Sequence, residues 1–70
     1  MTWQLWDMGR RNQLGSFASR QEAFEAVLSV TRAYPDLVPD LVLDAEDEEG
    51  NEVFMATGQA LLDLARPQYA

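Results

Sequence analysis

Ser19-Arg20-Gln21-Glu22-Ala23-Phe24-Glu25-Ala26-Val27-Leu28-Ser29-Val30-Thr31-Arg32-Ala33-Tyr34-Pro35 is the stretch on which the fold turns. Ser19 followed by Glu22 is a capping box: the serine hydroxyl accepts from the Glu22 amide while the glutamate reaches back to the Ser19 amide. A helix therefore begins at Arg20. Ala23, Phe24, Val27, Val30, Thr31 and Tyr34 recur at helical spacing and Leu28 widens the stripe, whereas Gln21, Glu25, Ser29 and Arg32 fall on the opposite side. Pro35 has no amide hydrogen and restricts the residue before it, so the helix ends at about Ala33 or Tyr34. A single amphipathic helix with one apolar stripe needs a sheet to cover, and both flanks supply strands.

Upstream, Trp3-Gln4-Leu5-Trp6-Asp7-Met8 alternates and is rich in aromatics, the pattern of a strand. Gly9-Arg10-Arg11-Asn12 offers glycine and asparagine for a left-handed turn, and Gln13 to Phe17 resumes an extended run, which makes a hairpin. Downstream, Pro35-Asp36-Leu37-Val38 is echoed by Pro39-Asp40-Leu41-Val42, a connection feeding a strand. Leu41 to Glu46 is extended, Asp47-Glu48-Glu49-Gly50-Asn51 is turn chemistry, and Glu52 to Ala56 is extended again, a second hairpin with an acidic tip. Thr57 can cap a short last helix from Gly58 to about Ala65, weakened by Gly58 and ended by Pro67.

The order β-β-α-β-β-α predicts one α+β domain spanning residues 1–70, a single four-stranded antiparallel sheet of order 2-1-3-4 with the main helix on one face and a short C-terminal helix. Because Trp3 and Trp6 stand three apart on one strand, they point to opposite faces, and one of them belongs to the face the main helix leaves uncovered. Phe17, Phe24, Tyr34 and Phe54 are expected in the core.

Charge is distributed unevenly. Residues 1–35 hold four arginines and three acids, whereas residues 36–70 hold Arg66 against nine acids, on a chain of net charge −7. Such a field repels nucleic acid and acidic membrane surfaces and favours basic partners. Arg10 and Arg11 at the first hairpin tip fall short of a nucleic-acid footprint. With 47% apolar and 24% charged residues the chain is that of a folded globular protein. The amino terminus has no secretory pattern and no apolar run reaches membrane-spanning length, so a cytoplasmic protein is expected.

Catalysis has little to work with. The chain contains no histidine, cysteine or lysine, which removes the usual neutral-pH base, the thiolate nucleophile and the Schiff-base amine. Neither a catalytic site nor a cofactor is expected. Asp44 and Glu46, two apart on a strand, share one face, as a solvated edge commonly does. A calcium loop read from Asp44 places Glu49 where glycine is required and Met55 where the bidentate glutamate is required, so the spacing names no metal site. The acidic run suits a solubilising turn that discourages edge pairing. Its sharper use would be mimicry of phosphate charge, with Asp44, Glu46, Glu48, Glu49 and Glu52 occupying a basic nucleic-acid-binding protein.

Trp3-Gln4-Leu5-Trp6, followed by Gly15-Ser16-Phe17-Ala18-Ser19-Arg20-Gln21-Glu22-Ala23 leading from strand to helix, resembles a type found in short uncharacterised bacterial proteins. The resemblance covers roughly residues 3–30 and implies a compact strand-strand-helix-strand-strand domain, with no catalytic or binding residue attached. Taken together, the residues point to a non-enzymatic protein-interaction module that self-associates, as a homodimer or within a larger assembly, through an open sheet face bearing Trp3 or Trp6. An acidic mimic acting through the second hairpin is the alternative, and a weak divalent-cation-binding module is a third.

Overall fold

The computed structural model describes residues 1–69. In chain order it contains β1 (Thr2–Asp7), β2 (Asn12–Phe17), α1 (Arg20–Ala33), a 3-10 helix (Pro35–Asp40), β3 (Leu41–Glu46), β4 (Glu52–Thr57) and α2 (Gly58–Tyr69). The strands form one sheet in the order β2-β1-β3-β4, every pair antiparallel. This is the α+β arrangement expected from two hairpins joined through a helix, with the inner strands β1 and β3 contributed one by each hairpin.

Alternation places Trp3, Leu5 and Asp7 of β1 and Leu41, Leu43 and Ala45 of β3 on one face, all buried. Against them pack Ala23, Phe24, Val27 and Leu28 of α1 and Leu61, Leu62 and Ala65 of α2. Each fully buried leucine or phenylalanine here stabilises the fold by about 1.5–3 kcal/mol relative to exposure. The two helices lie side by side on this same face, so α2 does not cover the opposite one.

The ends of α1 follow its capping residues. Ser19 Oγ accepts from the Glu22 amide at 3.2 Å, and the Tyr34 amide donates to the Val30 carbonyl at 2.8 Å to close the last turn. Tyr34 itself corrects the expected core: it has left helical geometry, with φ −137° and ψ 71°, and its side chain is 63% exposed. The connection after it is not a plain linker but a 3-10 helix, opened by Pro35 and by the Leu37 amide donating to the Tyr34 carbonyl at 3.0 Å. It carries Leu37 and Val38 onto the edge of the core and ends with the Asp40 carbonyl accepting from the Met8 amide at 2.9 Å.

Three local expectations change. In the first hairpin the left-handed residue is Arg11, with φ 56°, rather than Gly9 or Asn12; Gly9 serves close approach, since a Cβ there would lie 2.5 Å from Asp40 Oδ2. Gly58 does not weaken the start of α2 but eases it: β4 passes into the helix without a loop, and glycine takes the left-handed turn at φ 57° without the steric cost that a Cβ brings. The helix also runs through Pro67 to Tyr69. So close to the helix end, the proline removes one donor to the Asp63 carbonyl without ending the helix.

Each hairpin contains one unmatched residue on its outer strand. Pairing steps from Leu5 with Gly15 to Trp6 with Gln13, leaving Leu14 extra, and from Ala45 with Phe54 to Glu46 with Glu52, leaving Val53 extra. Both edges of the sheet are therefore bulged.

Candidate interaction face

The face turned away from the helices is built by the residues between the buried ones. From β1 come Thr2, Gln4 and Trp6, from β3 Val42, Asp44 and Glu46, and from β4 Met55 and Thr57. Trp6 stands directly across from Val42, Gln4 from Asp44, and Asp44 in turn from Met55. Met8 continues the line of Trp6 past the strand end. All of these side chains but Thr2 border a shallow groove of about 460 Å³. Met8 and Met55 are 52% and 56% exposed, so apolar surface lies open here with nothing packed on it.

The two tryptophans separate as their spacing requires. Trp3 is only 5% exposed and sits in an aromatic cluster, 6.1 Å from Phe24 and 5.3 Å from Phe54 between ring centroids. The Arg20 guanidinium lies over this cluster, 4.8 Å from the Phe24 centroid and 5.5 Å from that of Phe54. Trp3 thus belongs to the core, and Trp6 is the tryptophan of the uncovered face.

Asp44 is the unusual member of that face. Its position in an inner strand surrounds it with neighbours on both sides, and its Oδ1 is buried with no hydrogen-bond partner. Gln4, directly opposite, does not satisfy it. A buried carboxylate oxygen without a donor costs the desolvation of a charged group with no return. Glu46 sits at the strand end, paired with Glu52 across the bulge, a like-charge pair that disfavours the closed hairpin end.

The remaining acids serve a different place. Asp47 organises the second turn: its Oδ1 accepts from the amides of Glu49 and Asn51, each at 2.9 Å, while its own amide donates to the Asn51 carbonyl at 2.9 Å. The Asn51 amide holds the Asp47 carboxyl below its ordinary value of 3.8; desolvation, the next largest influence, opposes it, and the amides of Glu49 and Gly50 and the Asn51 side chain add to the lowering. Glu48 and Glu49 project from this tip beside Met1. The five acids singled out in the sequence are therefore split between the uncovered face (Asp44, Glu46 and, across from Glu46 on the edge strand, Glu52) and the tip (Glu48, Glu49). No group of three or more acidic side chains among the described residues is arranged to hold a metal ion.

Two further features were not signalled by sequence. Asp7 is 2% exposed and its Oδ1 accepts from the amides of Gly9 at 3.1 Å and Arg10 at 3.4 Å, fixing the first turn from within; a strand pattern that alternates to an acid would flag it. A hollow of about 630 Å³ between α1, the 3-10 helix and α2 is bordered by Arg32 and Arg66. Both arginines stand in the last turns of their helices, where they complement the helix dipoles.

Comparison of the chain with protein-family models, with curated proteins and with solved structures gave no match. Among the described residues no helix is long and apolar enough to cross a membrane.

Proposed function

We propose that this chain is a non-enzymatic protein-interaction module that makes its contact through the uncovered sheet face. The observation that carries the proposal is Trp6, flanked by Val42, Met8 and Met55, on a face that neither helix covers. Large aromatics beside methionine are the side chains that anchor protein interfaces, because they remove much apolar area from water at low entropic cost. The lack of histidine, cysteine and lysine also favours binding over catalysis.

Trp6→Thr combined with Met55→Thr tests this, since threonine retains strand preference while removing the apolar surface. Circular dichroism should remain that of the folded chain. Bound partners recovered by the wild-type protein, or second copies of itself, should be lost in the double variant. An unchanged set of partners and an unchanged oligomeric state would remove the face from consideration.

A further inference from the structure

By register the uncovered face holds three carboxylates, Asp44, Glu46 and Glu52, and among the described residues no cation stands on its strands. A second copy of the chain is poorly suited to such a surface. A two-fold face-to-face contact would seal the acids of both copies together with no positive charge between them, and desolvating unpaired ions is strongly unfavourable. Asp44 Oδ1 has no donor within the chain, while the side chain as a whole is only half-buried and lines the open groove. A surface that packs over this carboxylate removes the water that still reaches it and must therefore bring a donor of its own.

Trp6 lies diagonal to Asp44 across β1 and β3, within reach of one long side chain spanning both. A guanidinium meets the two requirements at once: its fork matches a carboxylate, and its plane stacks on an indole. The chain already uses the same chemistry on its other face, where Arg20 lies over Trp3, Phe24 and Phe54. We infer that the uncovered face takes a basic, partly apolar segment of a partner protein, with an arginine between Trp6 and Asp44 giving its N–H groups to the Asp44 carboxylate while neighbouring apolar side chains cover Val42 and Met55. This rests on the proposed role of the face and names its occupant. It shares a basic partner and Asp44 with the mimicry alternative but adds Trp6 to the contact and leaves out Glu48 and Glu49.

The test is titration of the full chain with a capped peptide alternating leucine and arginine, followed by backbone amide shifts and tryptophan fluorescence. Saturable binding is expected, with shifts centred on Gln4, Trp6, Val42, Asp44 and Met55 and an affinity that falls as salt rises. Asp44→Asn, checked as folded by circular dichroism, should weaken binding by roughly tenfold or more, the loss of one charge-assisted pairing. Glu48→Gln with Glu49→Gln should leave it within about twofold. Equal binding by Asp44→Asn, or equal binding of a leucine–citrulline peptide to the same amides, would overturn the arginine while leaving the face as an interaction surface. Dimerisation of the chain alone, abolished by Trp6→Thr, would make a second copy the occupant and overturn the inference in the same way. A chain that stays monomeric and shows no amide shift on this face with either peptide would remove both the inference and the proposed function.

Discussion

Replacing Asp44 with valine should make the protein more stable, although it alters the proposed contact surface. Asp44 Oδ1 is buried and lacks a donor, and leaving a charged acceptor in that condition costs about 1–3 kcal/mol. Valine is close to aspartate in size and favours strands, which adds up to about 1 kcal/mol at an inner position. The net gain is therefore on the order of 1–4 kcal/mol. For a domain of this length it corresponds to a rise in Tm of roughly 4–30 °C. Urea unfolding followed by far-ultraviolet circular dichroism measures it directly, with the slope unchanged and the midpoint raised. Protein concentration must be kept below that at which sedimentation detects self-association, because valine enlarges the apolar patch and association would itself add stability. Asp44→Asn should gain less, since the charge goes but an unmet oxygen stays. A midpoint that is unchanged or lowered in Asp44→Val would show that the carboxylate is satisfied in solution, and the reasoning from its isolation would fail.

The second turn supplies a pH dependence. Amides of Asn51 and Glu49 depress the Asp47 carboxyl below 3.8, so its contribution is present above that pH and is lost as the pH falls through the lower folded value. In a carboxyl-carbon NMR titration Asp47 should titrate below 3.8, and Asp47→Asn should flatten the acid limb of the stability curve; an Asp47 midpoint at or above 3.8 would contradict the turn geometry. Gly58→Ala isolates the hinge between β4 and α2. The nearest atom to an added Cβ would be the Val38 carbonyl oxygen at 3.7 Å, so there is space, and the loss of about 1 kcal/mol in urea unfolding comes from the positive φ alone. An unaltered midpoint would show that the hinge relaxes to an ordinary conformation.

Periodicity and capping made most of the architecture legible. The Ser19 cap locates the start of α1, Pro35 its end, and the three-residue offset of Trp3 and Trp6 divides them between faces. What could not be read depends on contacts distant in sequence. Arg11 in a left-handed conformation goes against local preference, and its turn is held by the buried Asp7 carboxylate accepting from the Gly9 and Arg10 amides. Gly58 looks like a helix defect until the strand is seen to run straight into the helix. Asp47 is one acid among several in a run, and only the closed turn distinguishes it from Glu48 and Glu49. The isolation of Asp44 has no local signature: it arises because strands from both hairpins enclose it. Tyr34 fits the helical stripe by number but lies one residue beyond the helix, where the period no longer applies.

Bulges at Leu14 and Val53 on the two outer strands have a bearing on assembly. An outer strand with straight, unpaired backbone groups invites another sheet to extend it, and each addition exposes a fresh edge, so growth has no natural end. Here both outer strands are kinked, and the flat surface that remains available is the face carrying Trp6. If the proposed contact is made through that face, a single occupant uses it up, and the complexes that result have a defined stoichiometry in place of fibres.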